Sequence, residues 1–383
     1  MTSNIITHIY FGTAGAAGLY TKAIKNALND DANSSFIVNY YYPDDDAQKL
    51  FFKHTELSGS NRLRKFKYLR FFVRYAELVL GLLKSYIHLK KTRTRILNYS
   101  LISQHVTELF FLYICKKRLS INIILTLHDV APFKSSYINI FNQSTVKQKI
   151  LKLADGIIVH NKSSIDSLCA LFKYDAKIYC HPFPLMNPSL SRAFMERSIT
   201  QSSESEKFLF LFVGHPREEK GLDILCSAWE IFSRAKNDAR LIIASNINKN
   251  SEIYNKLSVL ADVEIIGKFI PDSDYFDLIG NADCVVLPYR MGTNSGIPGT
   301  VASLNTAIIA SNIPMFFEND LVPRRSLFES GSPSSLAFKM QQILADGVKD
   351  FTINPNLISS YNAGFKSAVL NTYRDIKKQF DCI

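Results

Sequence analysis

The chain has 383 residues, of which 47% are hydrophobic, 21% charged and 12% aromatic. This composition is typical of a globular protein and excludes a low-complexity or fibrous chain, and the length favours two domains of about 150–200 residues each. The formal net charge of +11 favours an anionic partner (a nucleotide, nucleic acid or an acidic membrane face) without choosing among them.

The cysteines and the apolar runs bear on the cellular compartment. The six cysteines are scattered without CxxC spacing, which indicates a reducing compartment and neither a disulfide framework nor a zinc site. The N-terminus enters a strand directly, without a basic segment before a long apolar core, so no signal peptide is predicted. The longest apolar run, 71–83, is interrupted by Arg74 and Glu77 and is too short to span a bilayer. A cytoplasmic protein is expected.

Strand-like apolar runs alternate with helical patterns through the first half of the chain. A helix is predicted from about Leu19, and others at 104–117 and 164–172. Short continuous apolar strands between helices indicate a parallel sheet covered on both faces. The predicted strands are 6–11, 35–42, 95–100, 121–129, 156–160 and 177–183.

A polar segment rich in Ser and Glu then interrupts the pattern at 187–207, and a second series of strands and helices follows. The predicted fold class is α/β, with two Rossmann-like doubly wound domains facing a cleft, and ligand-binding residues are expected just after the strands. The strands of the second series are 208–214, 240–245, 263–267, 284–289 and 306–311. The predicted division is 1–187, a linker 188–207, 208–355, and a C-terminal helix within 356–383 that packs back toward the first domain.

Two cations follow the first strand of the second series, in FVGHPREEKGLDIL. Arg217 and Lys220 lie three residues apart, and Gly221 opens a helix directly after them. A helix start favours an anion through its free N–H groups and its dipole, and the two side chains add a planar fork and a point charge. The spacing indicates a diphosphate site. The alternative is two solvated charges beside Glu218 and Glu219.

The stretch LPYRMGTNSGIPGTVASLNTAIIAS, 287–311, joins a strand to a short helix through a loop of small residues. Ser295 suits an N-cap, Pro298 a first helical turn, and Gly296 a close approach of backbone N–H groups to a ligand. Amides after Ser295 can cradle a phosphate without a charged side chain. The alternative is an ordinary turn between strand and helix.

His128 and Asp129 follow an apolar strand of the first domain, in LTLHDVAPF. Such a pair at the carboxyl end of a strand can act in acid–base chemistry or bind sugar hydroxyls. The alternative is a histidine that caps the strand. The glycines of FGTAGAAGLY do not have GxGxxG spacing and no acidic residue ends a second strand, so NAD or FAD binding is rejected.

The segment KFKYLRFFVRYAELVLGLLKSYIH has a polar stripe at helical spacing on an otherwise apolar helix. With the neighbouring basic residues, this helix can lie on an anionic membrane surface, where Lys67, Arg70 and Arg74 are the predicted contacts. The alternative is a buried helix with one wet face.

Several blocks of this sequence, in their order, resemble those of glycosyltransferases with the GT-B fold, in the retaining family 4 group and its bacterial subset that builds surface polysaccharides. The blocks fall within residues 120–345. They are LTLHDVAPF, ADGIIVHNKSSIDSL, FVGHPREEKGLDIL, LPYRMGTNSGIPGTVASLNTAIIAS and LFESGSPSSLAFKMQQIL. They resemble TxHDVxPH, ADxIIVHSxxxxxxL, FGxIRPYKGLDxLL, PYRxxxxSGVxxxALAxGxPVIAS and FxxGDxxxLAxxIxxLL.

The resemblance implies that the protein transfers a sugar, with retention, from a nucleotide-diphosphate-sugar donor to a lipid-linked or polysaccharide acceptor in O-antigen, capsule or exopolysaccharide synthesis. No metal or other cofactor is implied, because GT-B enzymes neutralise the leaving diphosphate with protein groups. Arg217, Lys220 and the amides at Ser295 and Gly296 would hold the diphosphate. His128 would contact the sugar or the β-phosphate, with Asp129 beside it.

Other positions are implied more loosely by the same resemblance. The cleft near the sugar would be lined by Gly15, Ala16 and Asn294, and the nucleotide base and ribose would lie near Gly267, Phe269, Ile270 and Thr300. Family 4 commonly carries two glutamates separated by seven residues, where this chain has Gly292 and Thr300, so ribose binding and donor identity stay open. Glu218 and Glu219 replace a Pro-Tyr pair and either weaken phosphate binding or point to water.

Two other functions remain open at this point. One is a nucleotide-sugar epimerase on the same fold, and the other is a degenerate transferase kept as a sugar-binding or assembly subunit, which the missing glutamates motivate. A nucleic-acid partner is not expected, since no nucleic-acid-binding module is found. The predicted location is cytoplasmic and peripheral, at the inner face of the cell membrane.

Overall fold

The computed structural model divides into two compact units. It describes residues 6–12, 16–29, 33–39, 47–51, 67–100, 106–130, 140–172, 174, 176–185, 207–235, 237–268, 270, 272–292 and 294–381. Unit 1 comprises Met1–Val130, Ser136–Pro182 and Lys366–Ile383, and unit 2 comprises Ala131–Ser135 and Phe183–Phe365. The predicted linker lies outside the described residues except for Lys207.

The core of unit 1 is a seven-stranded sheet with the order β3-β2-β1-β4-β5-β6-β7. Neighbouring strands pair in parallel. The central strands β1, β4 and β6 are buried along their whole length, because helices cover the sheet, which explains their continuous apolar sequences. The strands are β1 Ile6–Tyr10, β2 Ser34–Asn39, β3 Gln48–Phe51, β4 Ile96–Ser100, β5 Asn122–Thr126, β6 Gly156–Val159 and β7 Lys177–Cys180.

Helices connect these strands. Four of them, α2 to α5, share one apolar core with the sheet, so their inner sides pack on the same face of it. The helices are α1 Ala16–Ala27, α2 Lys67–Lys91, α3 Val106–Leu119, α4 Ile140–Leu153 and α5 Lys162–Phe172.

Unit 2 has a six-stranded parallel sheet with the order β10-β9-β8-β11-β12-β13. The chain leaves β8 toward one edge through β9 and β10, and then returns to β11 on the other side of β8. The carboxyl ends of β8 and β11 are therefore neighbours at the point where the strand order reverses, which is where open α/β sheets bind ligands. The strands are β8 Phe208–Val213, β9 Ala239–Ala244, β10 Val263–Ile266, β11 Cys284–Leu287, β12 Ala307–Ser311 and β13 Leu327–Phe328.

The helices of unit 2 pack around a large apolar core that includes Trp229 and Phe232. The last helix, α12, belongs to unit 2 up to Phe365 and to unit 1 from Lys366. In unit 1, Asn98 of β4 lies 2.6 Å from the Tyr373 hydroxyl of α12. The helices are α6 Leu222–Ser233, α7 Glu252–Ser258, α8 Asp272–Gly280, α9 Ile297–Ser303, α10 Pro314–Phe317, α11 Pro333–Asp346 and α12 Pro355–Asp381.

The predicted fold class, two parallel α/β domains, is confirmed, while some element boundaries differ. β5 ends at Thr126 and not at 129, so His128 and Asp129 lie in the loop after it. α1 begins at Ala16, three residues earlier than expected, and α12 begins at Pro355. The short strand β3 was missed, because QKLF lies at the sheet edge, where only Phe51 of its four residues is buried. Across the described ranges, no helix is long and apolar enough to cross a membrane.

Candidate functional site

The loop after β8 carries the two cations that the sequence singled out. The chain leaves Val213, forms a short 3-10 turn at Glu218–Lys220, and enters α6 through Gly221. Arg217 and Lys220 are both half-buried and lie at the two ends of this turn, where the amide of Lys220 donates to the carbonyl of Arg217 at 3.0 Å. The predicted helix start behind the cations is therefore present.

Gly221 allows this loop to contact the loop that follows β11. Its φ of 63° lies in the left-handed region. A Cβ atom added there would lie 1.8 Å from the carbonyl oxygen of Pro288, which is backbone and cannot move aside. A side chain at position 221 would therefore push the two loops apart.

Arg290, which follows β11, joins the same two loops by hydrogen bonds. Its guanidinium donates to both carboxylate oxygens of Asp223 in α6, at 2.6 and 2.5 Å, and to the carbonyl of Glu218 at 3.1 Å. Its amide donates to the carbonyl of Glu219 at 2.8 Å. The hydrogen bonds from Arg290 lower the pKa of Asp223. This clamp, Arg290 with Asp223, fixes the position of the turn that carries Lys220.

Lys220 is oriented by an aromatic ring from the second loop. Its Nζ lies 3.7 Å from the centre of the Tyr289 ring, a cation–π contact. Tyr289 is buried: its carbonyl accepts from Ser311 at 2.5 Å, and its ring packs against Phe316 at a centroid distance of 5.2 Å. The buried Tyr289 ring thus holds the ammonium group of Lys220 at the carboxyl ends of β8 and β11.

Glu219 differs from what the sequence suggested. The residue is only 4% exposed, whereas its neighbour Glu218 is exposed. Neither carboxylate oxygen has a hydrogen-bond partner among the described residues. Of the two alternatives for this pair, orientation toward water is therefore wrong for Glu219. A buried carboxylate without a partner is costly, so this position destabilises the loop.

The short helix α9 starts one residue later than predicted. Its N-cap is Gly296 and not Ser295, and Pro298 occupies the first turn as expected. Ser295 Oγ accepts from the amide of Ile297 at 3.4 Å, a long and weak hydrogen bond. Both Ser295 and Gly296 are half-buried, as is Asn294 in the loop before them.

The two positions of the missing glutamates are occupied in ways that leave no room for a carboxylate without rearrangement. A Cβ atom at Gly292 would lie 2.6 Å from the sulfur of Met315. Thr300 is 1% exposed, and its hydroxyl donates to the carbonyl of Gly296 at 3.3 Å. Thr300 therefore holds the first turn of α9 together and does not face a ligand in this conformation.

The remaining predicted residues of this half of the chain lie near β10 or outside the described residues. Gly267 directly follows β10 and is half-buried, with open space where a Cβ would be, and Ile270 is also half-buried. Phe269 and Gly15 lie outside the described residues. Ala16 is the first residue of α1 in unit 1.

In unit 1, His128 is part of a cluster of three histidines and a tyrosine. His128, His160 and His181 follow the ends of β5, β6 and β7, and Tyr20 reaches them from α1. His128 Nδ1 lies 3.1 Å from His160 Nε2, His160 Nδ1 lies 3.3 Å from the carbonyl of His181, and the Tyr20 hydroxyl lies 3.0 Å from His181 Nε2. We call these four side chains the histidine cluster.

Burial keeps the histidine cluster uncharged. It lowers the pKa of His128 and of His181 to about 4, and the pKa of His160 falls well below its ordinary value for the same reason. Burial also raises the pKa of Tyr20 well above its ordinary value. The three imidazoles are therefore neutral at pH 7 and can each offer one donor and one acceptor.

Lys147 of α4 fixes the loop that contains His128 and Asp129. Its Nζ donates to the carbonyl of Val130 at 2.7 Å and approaches the carbonyl of Asp129 at 3.4 Å. Burial lowers the pKa of this lysine to about 8, although the Asp129 charge acts in the opposite direction. Asp129 itself is exposed.

Among the described side chains of α2, the polar stripe is only partly on the outer side: Lys84 is exposed, but Glu77 and His88 are half-buried. Gly81, at its centre, is packed so closely on Phe51 of β3 that a Cβ would lie 2.1 Å from the ring, and Arg74 is half-buried with its Nε covered. Aromatic residues are also exposed on this helix. Lys67 and Arg70 lie on the helix, but their side chains are outside what the structure describes.

Several of these residues were not predicted from the sequence. His160 and His181 had the same sequence signal as His128, a histidine at the end of a strand-like run, but were treated as part of the strands. The Arg290–Asp223 clamp joins positions 67 residues apart, and Lys147 lies within an ordinary helix, so neither had a local signal. Within the described part of the chain, no group of three His, Cys, Asp or Glu side chains is placed to hold a metal ion.

Known proteins resemble this chain in part of its sequence and in its fold. Residues 207–346 match the family model described as glycosyl transferases group 1. Among solved structures, a sucrose-phosphate synthase from Thermosynechococcus elongatus superposes with a TM-score of 0.66 at 15% identity, covering 99% of each chain. Anabaena HepE in complex with UDP and glucose superposes with a TM-score of 0.62 at 14% identity, again covering 99% of each chain.

A third similar structure, E. coli trehalose-6-phosphate protein bound with UDP-2-fluoro glucose, has a TM-score of 0.60 at 11% identity and covers 98% of this chain and 97% of its own. The search of curated proteins found no match. At these identities the structural likeness concerns the fold, which is that of GT-B glycosyltransferases. The two cations lie within the residues that match the family model, 207–346.

Proposed function

We propose that this protein is a retaining, metal-independent glycosyltransferase that uses a nucleotide-diphosphate sugar as its donor. The observation that carries this proposal is the position of Arg217 and Lys220. Both lie in the loop after β8 of a glycosyl transferase group 1 domain, at the point where the strand order of the sheet reverses. The clamp and the Tyr289 ring hold this loop in place.

Two cations in a fixed turn match the charge of a leaving diphosphate. Because Lys220 is held against a ring and Arg217 precedes it by three residues, little side-chain entropy would be lost when an anion binds. The amides at Ser295 and Gly296 are proposed to assist them. Since these groups supply the positive charge, the proposed reaction needs no resident metal. Two of the similar structures contain UDP or a UDP sugar, which supports a donor of that kind.

Binding of the proposed nucleotide-sugar donor is tested with two single variants. Purified wild-type protein is screened by thermal shift against UDP, GDP, dTDP and their sugars, because a ligand that binds only the folded state raises the melting temperature. Arg217→Ala and Lys220→Ala should each weaken binding of the best donor about tenfold or more, since each loses a charge-assisted hydrogen bond of about 1.5–3 kcal/mol.

Lys256→Ala is the matched control for these variants. Lys256 lies in the same unit, but its charge pairs with Glu252 on the exposed side of α7 at 2.8 Å. Its removal should leave donor affinity unchanged. If no nucleoside diphosphate binds at millimolar concentration to folded protein, the proposal is wrong.

The acceptor is proposed to be lipid-linked or a polysaccharide, with the reaction at the inner face of the cell membrane and the product in O-antigen, capsule or exopolysaccharide synthesis. The outer sides of α2 and α3 support a membrane surface, because they expose large apolar side chains. Tyr68, Phe71 and Phe72 are 89%, 64% and 68% exposed. We call the following set the apolar face: Tyr68, Phe71, Phe72, Tyr75, Leu83 and Ile87 of α2 with Val106, Phe110 and Tyr113 of α3.

The charges around the apolar face suit an anionic bilayer. Exposed lysines lie on α2, α3 and α4, and Lys149 and Lys152 of α4 line a groove of ≈ 420 Å³ with Phe110 and Tyr113. The acidic residues of these three helices are Glu77, which is half-buried, and Glu108, which is buried. Aromatic side chains beside lysines are the combination that binds at a membrane interface.

Replacing Tyr68, Phe71 and Phe72 together by Ser should abolish sedimentation with vesicles that contain phosphatidylglycerol, because the apolar area that enters the interface is lost. The matched control replaces Val259 and Phe338, which are 81% and 59% exposed in unit 2, by Ser and should sediment as the wild type does. Wild-type protein that never sediments with these vesicles would contradict the membrane assignment.

One observation supports a second function, that of a sugar-binding subunit that does not catalyse transfer. The thioether of Met315 lies close to the position where a side chain at Gly292 would begin. Donor binding without transfer to any acceptor would support this second function. Isomerised donor in the absence of an acceptor would instead support an epimerase.

A further inference from the structure

We propose that the groove between α3 and α4 binds the hydrocarbon chain of a single-chain lipid phosphate, and that Lys149 and Lys152 hold the phosphate group. The residues that line this groove all belong to unit 1. Binding of the lipid phosphate is inferred from unit 1 alone, and only the identification of this lipid with the acceptor rests on the proposed function.

Helix α3 is apolar on two sides, although only one of them packs in the core. Its inner side carries Phe111, Leu112 and Cys115, which are buried in unit 1. Its outer side carries Phe110 and Tyr113, which are 63% and 48% exposed. A helix at the surface is expected to be polar on its outer side, so an apolar outer side indicates a contact with an apolar partner.

The exposed side chains of α3 form one wall of a groove with a volume of ≈ 420 Å³. Val106, Phe110 and Tyr113 lie in a row, because residues three or four positions apart are neighbours on a helix. The opposite wall is α4, which contributes Leu153 and the aliphatic stems of its lysines. The volume is within the range of about 300–1,000 Å³ that small-molecule sites have. An apolar groove that follows α3 for about two turns suits an extended hydrocarbon chain.

Lys149 and Lys152 place positive charge beside these apolar walls. Both are exposed, and their spacing of three residues puts them on the same side of α4. Among the described residues, neither lysine has an ion-pair or hydrogen-bond partner. Lys116 of α3 differs, because its Nζ donates to Asp155 at 2.8 Å and to the carbonyl of Leu153 at 2.6 Å. The two lysines of α4 are therefore available to an anionic ligand.

The acidic residues of the two helices do not neutralise these lysines. Helix α4 contains no acidic residue, and α3 contains Glu108 alone. Glu108 is buried, and it accepts a hydrogen bond from the Tyr99 hydroxyl at 3.0 Å. The groove thus combines apolar walls with positive charge, which favours an occupant that is apolar along its length and anionic at one end.

The charge of the two lysines favours a phosphate monoester over the phosphodiester of a bilayer phospholipid. A monoester carries a charge of about −1.5 to −2 at pH 7, which matches two lysines, whereas a phosphodiester has only one ionisable oxygen. The size of the groove also disfavours an acidic helix of a partner protein. Such a helix is about 10–12 Å across with its side chains, whereas the axes of adjacent helices lie about 8–10 Å apart, so it would not fit between α3 and α4.

Calorimetric titration of the full chain with dodecyl phosphate, below the concentration at which it forms micelles, tests the inference. We expect saturable binding to a single site. Inorganic phosphate has no chain, and dodecyl phosphocholine has the same chain with a phosphodiester and a compensating positive charge, so each should bind at least about tenfold more weakly. No binding of dodecyl phosphate, or equal binding of inorganic phosphate, would overturn the inference. Equal binding of dodecyl phosphocholine would overturn the assignment to a monoester.

Single variants test whether the lipid phosphate binds in this groove. Lys149→Ala and Lys152→Ala should each weaken binding of dodecyl phosphate about tenfold, since each loses a charge-assisted hydrogen bond. Phe110→Ser should weaken it about threefold or more, because apolar area in the wall is lost. These side chains are exposed, so their replacement is expected to leave the fold unchanged.

Lys90→Ala is the matched control for the lysine variants. Lys90 is exposed on α2 and does not line the groove, so this variant should bind dodecyl phosphate as the wild type does. If Lys149→Ala and Lys152→Ala bind as tightly as the wild type, or if Lys90→Ala loses as much affinity as they do, the lipid is not held at these lysines and the inference is wrong.

Two outcomes separate this inference from the proposed function. If dodecyl phosphate binds as expected but no nucleoside diphosphate binds, the proposed function is wrong, while the lipid site stands without a role in sugar transfer. If a nucleotide sugar binds but dodecyl phosphate does not, the proposed function stands and the lipid site is wrong, which would favour an acidic partner helix as the occupant of the groove.

Discussion

Single residues in the loop after β8, where the donor is proposed to bind, have opposing effects on a diphosphate. Arg217 and Lys220 attract it, whereas Glu219 places a carboxylate between them in sequence. That carboxylate is buried, and neither of its oxygens has a hydrogen-bond partner among the described residues. Such a group costs stability through desolvation, and its charge lies close to the proposed anion site.

Glu219→Gln should raise both the free energy of unfolding and the affinity for the donor. The variant keeps the shape of the side chain but removes a desolvated charge, so a gain of about 1–3 kcal/mol in stability is expected. Denaturant unfolding and calorimetric titration measure the two effects. Glu218→Gln, at the exposed neighbour, is the control and should change stability by less than about 0.5 kcal/mol. A less stable Glu219→Gln would mean that the carboxylate has an important partner.

Candidate site residues could be predicted from the sequence where charged or titratable side chains follow a strand. They could not be predicted where the role of a residue depends on whether its side chain is buried. Arg217, Lys220 and His128 stood out because charged or titratable residues directly follow apolar runs. His160 and His181 had the same signal, but only the folded sheet brings the ends of β5, β6 and β7 together. The burial of Glu219 could not be predicted, because its neighbours in sequence are polar and its cover comes from distant elements.

Among the elements, the loops after β8 and β11 act as one structure. Gly221 lets them touch, and Arg290 donates to Asp223 and Glu218 across the contact. Neither loop would hold its conformation alone, since each is short and partly exposed. The positions of Lys220 and of the loop before α9 therefore depend on each other.

Arg290→Ala and Asp223→Ala should each lower donor affinity about three- to thirtyfold, although neither residue has to touch the ligand, because the turn that carries Lys220 loses its support. The pair of variants combined should cost little more than either alone, which a double-mutant cycle on donor binding would reveal. Fully additive losses would mean that the two residues act separately. Arg325→Ala, which loses its ion pairs to Asp346 and Asp350 elsewhere in unit 2, is the control and should leave affinity unchanged.

The order of strands and helices was largely predictable because buried parallel strands form continuous apolar runs, such as FLFLFV in β8. The edge strand β3 was missed because its sequence is half polar. The start of α9 was misplaced by one residue, because Ser and Gly both suit an N-cap and only the backbone conformation chooses between them.

The stability of the whole molecule should depend on pH through the histidine cluster. Above about pH 6.5 the cluster is neutral in both the folded and the unfolded chain, so stability is complete. Between about 6.5 and 4 the unfolded chain binds protons that the folded chain excludes, because the folded pKa values of His128 and His181 are about 4. Stability should fall across that range by an amount on the order of 3 kcal/mol for each of these histidines.

Denaturant unfolding at pH 7, 5.5 and 4.5 measures this loss, and carboxyl groups contribute to it as well. The difference between the wild type and His181→Gln isolates the histidine, since Gln does not titrate and keeps an acceptor for Tyr20. The variant should lose less stability than the wild type between pH 7 and 4.5. Identical pH dependence in the two proteins would mean that His181 does not titrate as described.

The net charge of +11 is distributed over at least two surfaces that have different proposed partners. In unit 2, Arg217 and Lys220 mark the donor site. In unit 1, exposed lysines lie on α2 and α3, the helices of the apolar face, whereas the sequence predicted membrane contacts on the polar stripe of α2. The side of α2 that faces outward could not be read from periodicity alone, because the helix has both a polar and an aromatic side, and contact with β3 decides which one is covered.

The central claim is that the cations after β8 bind the diphosphate of a sugar donor whose sugar is then transferred. Transfer of radiolabelled sugar from the best-binding donor into a lipid or polysaccharide extract measures it most directly, for the wild type, Lys220→Ala and the control Lys256→Ala. We expect donor-dependent labelling with the wild type and Lys256→Ala, and a loss of at least about tenfold with Lys220→Ala. Equal labelling by Lys220→Ala and the wild type would contradict the account.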